Sequence, residues 1–192
     1  PGTPRAMSDV ASHDAHDAPR ARFDAIFEAE FAYMWRSLAR LGVPTRDLED
    51  VTHDAFMEVY RRLDTYDAAR PIRPWLFAFA FRMASDYRRL ARHRVEVIGA
   101  DAEPSEHVPG AEELLQDKQS RLLVERAVAK IHEERRPVFI LHDLDEVPIP
   151  EVARTLSIPL NTAYSRLRLA RDEFRAAVHR MKNEKSLSGG VA

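Results

Sequence analysis

Apolar residues recur at three- and four-residue steps along most of the chain, which is the period of amphipathic helices. Phe23, Ile26, Phe27, Phe31, Met34, Trp35, Leu38 and Leu41 place one stripe on a helix from about Arg20 to Leu41. Gly42 stands where a C-terminal cap belongs, since it adopts positive φ without steric cost. Pro44-Thr45 opens a second helix, with Thr45 as candidate N-cap and Asp47 in the first turn, where the helix dipole favours an acid. Its stripe is Leu48, Val51, Ala55, Phe56, Val59, Tyr60 and Leu63. A connector, Asp64 to Arg73, then leads to Pro74, whose missing N–H costs nothing in a first turn. The third helix carries Trp75, Leu76, Phe79, Met83, Tyr87 and Leu90. Three such helices with short connections predict one small bundle over residues 21–94.

Periodicity lapses over residues 95–112, where Gly99, Pro104, Pro109 and Gly110 lie in acidic company. That is linker chemistry. The helical period resumes with Leu114, Leu122, Leu123, Ala127, Val128 and Ile131, and breaks at Glu133–Pro137. A shorter helix follows with Val138, Phe139, Leu141, His142 and Leu144. A second helical domain is expected over 113–181. Residues 1–20, rich in Pro, Ala, Asp and His, are expected to form a disordered tail, and residues 1–6 ahead of Met7 read as an expression remnant. Residues 182–192 form a Lys/Ser/Gly tail. The fold class is all-α: two small helical domains joined by a flexible acidic linker.

Composition narrows the function. Of 192 residues 45% are hydrophobic and 31% charged, and no apolar run approaches the roughly 20 residues that span a bilayer. Membrane insertion is therefore not expected. The absence of cysteine excludes disulfides and thiolate metal sites, and suits a reducing cytoplasm. The net charge of −2 conceals a segregation. Residues 82–94 carry five arginines (Arg82, Arg88, Arg89, Arg92, Arg94) against Asp86, a balance of +4. Residues 95–118 sum to −6, and residues 159–182 return to +4. Two basic stretches about an acidic connector suit two contacts with a polyanion; taken singly, each also reads as a solvated helix face.

Residues 149–167 carry the pattern of a helix-turn-helix. Two helices that cross steeply need a small residue at the crossing, and Ala153 supplies it. Val152 and Leu156 face the crossing from the first helix, Ile158 plugs the turn, and Ala163 and Leu167 close it from the second. Ser157 occupies the turn position that often needs φ > 0 and usually holds glycine. The second helix presents Asn161, Thr162, Tyr164, Ser165, Arg168 and Arg171, side chains suited to phosphates and base edges. A helical hairpin with a merely solvated polar face fits the same pattern.

Four segments together resemble the extracytoplasmic-function sigma factors, the small two-domain class of bacterial RNA polymerase sigma factors. Asp47-Leu-Glu-Asp-Val-Thr-His-Asp-Ala-Phe56 is similar to the family's acidic docking motif. Trp75-Leu-Phe-Ala-Phe-Ala-Phe-Arg-Met-Ala-Ser-Asp-Tyr-Arg-Arg89 is similar to its Trp-Leu helix ending in Asp-x-x-Arg. Glu151-Val-Ala-Arg-Thr-Leu156 and Asn161-Thr-Ala-Tyr-Ser-Arg-Leu-Arg-Leu-Ala-Arg171 resemble its helix-turn-helix. The resemblance covers roughly Phe23–Arg94 and Leu114–Val178. It departs at His53, where Gln is common, and at Arg82, where Asn is usual.

The resemblance implies roles. Asp47, Glu49, Asp50, His53, Asp54 and Phe56 would dock on the β′ clamp helices of core RNA polymerase, with the β flap as a further contact. Tyr66, Arg73, Trp75, Arg82, Asp86, Arg88, Arg89 and Arg92 would engage the −10 element while it opens, with a flipped-base pocket near Tyr66–Arg73. Asn161, Thr162, Tyr164, Ser165, Arg166, Arg168 and Arg171 would contact the −35 duplex. The linker would occupy the path of nascent RNA or act as a plain tether. An anti-sigma factor is the expected further partner, with promoter DNA as the target. No cofactor, metal or catalytic residue is expected: His132 and His142 lie ten residues apart across a helix break. The rival reading is a stand-alone helix-turn-helix regulator with residues 20–94 as its sensor.

Overall fold

The computed structural model describes the backbone of residues 9–98 and 115–188, with the side chains of 19–93 and 120–184. Every regular element among them is helical. Helix α1 is Asp9–Arg40, α2 is Leu48–Arg61 and α3 is Ile72–Ile98; α4 is Leu115–Ala129, α5 is the single turn Arg136–Phe139, α6 is Ile149–Thr155 and α7 is Leu160–Ser188. Short 3-10 turns, Thr45–Asp47 and Leu63–Thr65, flank α2, and α5 runs directly into a π turn, Ile140–Leu144.

Three corners of the fold rest on left-handed residues. At the end of α1, Gly42 has φ +97°; its N–H donates to the Ala39 carbonyl and the Val43 N–H reaches back to Leu38, at 3.0 and 3.1 Å. This pairing consumes carbonyls that the helix end would otherwise leave unbonded. The same pattern ends α6. Ser157 has φ +53°, its N–H bonds Arg154, and Ile158 bonds Ala153 at 3.0 Å. The turn therefore has the positive φ expected for a helix-turn-helix, held by a serine. Glu146, φ +58°, makes the third corner after the π turn, where the Val147 N–H reaches Leu141 at 2.8 Å.

Several boundaries differ from the sequence reading. Helix α1 starts at Asp9, so the expected tail 1–20 is helical over its second half; residues 1–8 lie outside the described ones. Helix α7 continues past Met181 to Ser188. Both extensions prolong an existing helix, and propagation costs far less than nucleation, although the first crosses Pro19. Helix α3 likewise runs four residues into the expected linker, of which 99–112 lies outside the described residues. Thr45 does not cap α2. The cap position falls to Asp47, whose carboxylate makes no cap bond and instead accepts from the Tyr87 hydroxyl at 2.5 Å. Burial and this carboxylate both raise the Tyr87 pKa.

Helices α1, α2 and α3 pack around Met34, Leu38, Leu41, Ala55, Phe56, Val59, Leu76, Phe77, Ala80 and Ala84, all closed to solvent. Each large side chain in that set contributes about 1.5–3 kcal/mol. Phe56 is enclosed by Phe27 edge-on at 4.8 Å and by Phe31 stacked at 6.1 Å. Tyr60 and Leu90, assigned by period to the apolar stripes, are instead 46% and 55% exposed, because each lies at the margin of a stripe wider than its contact face. The second unit packs α4, α5 and α6 on α7 through Val128, Ile131, Val138, Ile140, Leu141, Val152, Ala163, Leu167 and Ala170. Ala153 is buried at the α6–α7 crossing, as its size requires. The apolar interior is continuous from Tyr33 to Ala170, so the two units share one core.

Candidate nucleic-acid interface

The first turns of α2 place Glu49, Asp50, His53 and Asp54 in solvent and Asp47 half-buried. Spacings of three and four residues put Asp50, Asp54, Met57 and Glu58 along one side of the helix. Asp54, Met57, Glu58 and Arg61 then face Phe79, Arg82, Met83 and Asp86 of α3 across a cleft of about 670 Å³. Met57 is 49% exposed there, an apolar contact point that the sequence reading missed. The His53 imidazole Nδ1 lies 3.0 Å from the Glu49 carbonyl, which directs Nε2 outward. Phe56, expected in this docking set, is 1% exposed and belongs to the core. In this structure it packs behind the acidic turn.

The connector between α2 and α3 is an organised loop. The Tyr66 hydroxyl donates to the Arg70 carbonyl at 2.7 Å, and the Asp67 carboxylate accepts from the Ala69 N–H at 2.9 Å. Asp67 thereby closes a turn with its side chain, the role that short acids play in loops. Tyr66 lies 5.0 Å from the Trp75 ring, and Trp75 lies 4.8 Å edge-on to Phe79. The Arg22 guanidinium covers the Tyr66 ring at 5.4 Å. Aromatic faces beside cations form a stacking platform for unpaired bases. Arg73 points the other way, bonded to Glu30 at 3.0 Å and over the Tyr33 ring at 5.1 Å. Its bond to Glu30 raises its pKa.

The arginines of α3 are not equivalent. Arg82 is exposed near the Phe79 ring, and Arg89 is exposed beside Asp86 at 3.1 Å. Arg88 is half-buried, donates to the Leu41 carbonyl at 2.5 Å and pairs with Glu133 at 3.5 Å. Its burial lowers its pKa. Arg92 reaches the same Glu133 at 3.3 Å. The Arg94 side chain lies outside the described ones.

On α7, Asn161, Tyr164, Ser165 and Arg168 are exposed at steps of three and four, so they form one outward face. Tyr164 is 55% exposed and Leu160 43%. Arg168 has only a long contact to Asp172, 3.8 Å. Thr162 and Arg166 are half-buried, and Arg166 approaches Glu134 at 3.6 Å. Arg171 is engaged by Asp143 at two points, 2.8 and 2.6 Å, which raises its pKa and ties α7 to the π turn.

Sequence reasoning missed the residues that join the two units. The Tyr33 hydroxyl, in a side chain 6% exposed, donates to Asp145 at 2.8 Å. Burial raises the pKa of both partners. Arg40 grips Glu125 through Nε and Nη2 at 2.9 and 2.6 Å. Arg70 pairs with Glu151. No period or motif marks such pairs, because both partners look like ordinary helix-surface charges.

Two family models match this architecture in order: sigma-70 region 2 over residues 27–94 and sigma-70 region 4 over residues 121–174. Together they take in more than half of the chain, one on each unit. The chain belongs to the sigma-70 family. Within it, this is a sigma factor of the extracytoplasmic-function type, an alternative factor for transcription initiation. It is 29% identical over 145 residues to the ECF RNA polymerase sigma-E factor of Escherichia coli K12, covering 71% of this chain and 76% of that protein. It is 24% identical to the RNA polymerase sigma factor NccH of Alcaligenes xylosoxydans, covering 91% and 96%. Two solved structures share the fold: the sigma factor RpoE of Bartonella quintana in complex with the anti-sigma factor NepR, at TM-score 0.66 and 18% identity, covering 82% of this chain and 97% of that one; and CnrH in complex with the cytosolic domain of CnrY, at 0.58 and 22%, covering 84% and 90%. With region 2 on the N-terminal unit, the sigma factor has no separate sensor domain there, and the stand-alone regulator reading falls. No described helix is long and apolar enough to cross a membrane.

Proposed function

We propose that this sigma factor docks on core RNA polymerase through the acidic start of α2 and reads a promoter with two surfaces. Glu49, Asp50 and Asp54, with Met57 beside them, meet the β′ clamp helices; Asp47 shapes the turn through Tyr87. The Tyr66–Trp75–Phe79 ring series and Arg82 receive the opened −10 strand, where unstacking a base costs a few kcal/mol and restacking on protein rings offsets it. Asn161, Tyr164, Ser165 and Arg168 enter the −35 major groove. Arg88 and Arg171 hold the fold together behind these surfaces. The factor performs no covalent chemistry and works in the cytoplasm with the polymerase.

One observation supports the reading most strongly: the outward α7 face and the ring-lined loop of α2–α3 sit on separate units, matched in order by regions 4 and 2. Relatives of the same fold were solved bound to the anti-sigma factor NepR and to CnrY, and we propose a partner of that kind here. Run-off transcription with purified core polymerase on candidate promoters tests the proposal. A folded chain that directs no sequence-specific transcript refutes it.

A further inference from the structure

The acidic turn given to polymerase docking begins without a side-chain cap. Neither Pro44, ahead of the 3-10 turn, nor Asp47, ahead of α2, makes a cap bond. Glu49 and Asp50 stand in the first turn of α2, and Asp54 follows one turn later, all three in solvent. A helix start that lacks a cap loses the order a cap confers. The direction in which these carboxylates point has to be fixed from outside the helix.

Two successive side chains of α3 do this. Arg88 donates to the Leu41 carbonyl at 2.5 Å, where α1 ends, and Tyr87 donates to the Asp47 carboxylate at 2.5 Å, where α2 begins. Between those points the connector turns at Gly42, φ +97°, and seats Val43, 1% exposed, in the core. The α1–α2 connector is thus gripped at both ends by neighbours on one helix, 40 and 47 residues further along the chain. Burial, then the Asp47 carboxylate, raises the Tyr87 pKa, so near neutral pH the side chain stays a hydroxyl donor. Arg46 reaches the same Asp47 oxygen at 3.3 Å, but from a side chain 65% exposed, where solvent screens most of the attraction. Tyr87 has the shorter bond and the backing of a packed helix.

We propose that Tyr87 is a positioning residue for polymerase docking: its hydroxyl fixes Asp47 and, through it, the exposed carboxylates of Glu49, Asp50 and Asp54 in the direction a basic partner surface requires. Asp47 then serves as an internal acceptor and makes no contact with the polymerase, although it stands at the head of the acidic motif. The inference rests on the docking role given to α2 above. Without the hydroxyl the first turn samples several directions, and affinity falls with the fraction that remains competent. An acceptor role needs an oxygen at position 47 and no charge, because a neutral amide oxygen also accepts a hydroxyl proton. A direct contact with basic groups needs the charge itself. The two roles therefore separate on one substitution, Asp47→Asn.

The test measures binding of the full chain, dye-labelled at its amino terminus, to purified core polymerase by anisotropy, well below the melting temperature. Tyr87→Phe, Asp47→Ala and Asp47→Asn are compared with the Tyr87→Phe, Asp47→Ala pair, and circular dichroism confirms that each folds. Tyr87→Phe and Asp47→Ala each weaken binding by about 5-fold, the worth of one part-solvated bond to a carboxylate. The double variant is no weaker than either alone, since both remove the same bond. Asp47→Asn, whose amide oxygen still accepts the hydroxyl, stays within about 2-fold of the unaltered chain. A purely structural loss would instead lower the melting temperature and leave affinity in place. Unchanged affinity in a folded Tyr87→Phe chain overturns the proposal, as does an Asp47→Asn chain as weak as Asp47→Ala, or losses that multiply in the double variant. Asp50→Arg is measured alongside. If it weakens binding and Tyr87→Phe does not, the positioning role fails alone; if the unaltered chain does not bind core, or Asp50→Arg binds as well as it does, the docking role of α2 fails and takes this inference with it.

Discussion

Alanine at Arg168 and at Arg171, one turn apart on α7, separates a DNA contact from a fold contact. The Arg168 side chain is 71% exposed and its one ion pair, 3.8 Å to Asp172, is of the exposed kind worth about 0–1 kcal/mol. Arg168→Ala therefore leaves the melting temperature nearly unchanged. If the guanidinium neutralises one phosphate, its loss makes the plot of log affinity against log salt shallower by about 0.9. Between about 50 and 200 mM salt, the unaltered chain then loses about 3.5-fold more affinity than the variant does. Arg171 behaves oppositely. Its removal strips Asp143, 20% exposed, of a two-point partner, at a cost of about 1–2 kcal/mol once partial solvent access is allowed for. For a chain of this size that is a fall in Tm of about 2–8 °C. The assay is anisotropy of a labelled −35 duplex at four salt concentrations, with thermal unfolding followed by circular dichroism. An Arg171→Ala chain with unchanged Tm and a slope shallower by about 0.9 would refute the division of roles.

Phe56→Ala should lower stability by about 3–5 kcal/mol in urea unfolding, because the ring is enclosed by Phe27 and Phe31; Asp50→Arg, on the exposed face, should leave the unfolding midpoint in place and weaken polymerase binding in a pull-down with purified core. Asp145 has a carboxyl pKa raised by burial above its ordinary 3.8, so its folded state favours the protonated form: that contribution is full below the ordinary value and is lost as pH rises through the raised one. Asp145→Asn, neutral throughout, should accordingly gain stability relative to the unaltered chain as pH rises from acid towards neutral, read from unfolding midpoints across pH; parallel curves would refute it. Ser157→Gly should raise stability by about 0.5–1 kcal/mol in thermal unfolding by relieving a left-handed serine. Gly42→Ala should lower it by about 1–2 kcal/mol, since φ is +97° and the new Cβ would lie 3.2 Å from the Arg136 guanidinium.

The local features were legible in the sequence for identifiable reasons. The 3.6-residue period located all three helices of the first unit, because an amphipathic face has no other way to bury its apolar side. Gly42 and Ala153 were readable since a positive φ and a steep crossing admit few residue types. The turn at Ser157 was readable through its neighbours even without glycine. The outward set Asn161, Tyr164, Ser165 and Arg168 followed from the same period. Phe56 was assigned twice, to the apolar stripe by its period and to the docking set by its motif, and its burial agrees with the period. Arg171 looked identical to Arg168 along the chain, and only the position of Asp143, 28 residues upstream, distinguishes them.

Sequence by itself thus determined the helical class, the helix-turn-helix and the order of two units that place the chain among sigma factors. These depend on contacts within a few turns, where residue type and spacing are enough. Tertiary structure alone decided which charges face a partner and which face the protein. Tyr33 meets Asp145 across 112 residues and Arg40 meets Glu125 across 85. Pairs that distant are selected by how the units pack, and a side chain's neighbour there is set by the shared core, which no local pattern encodes.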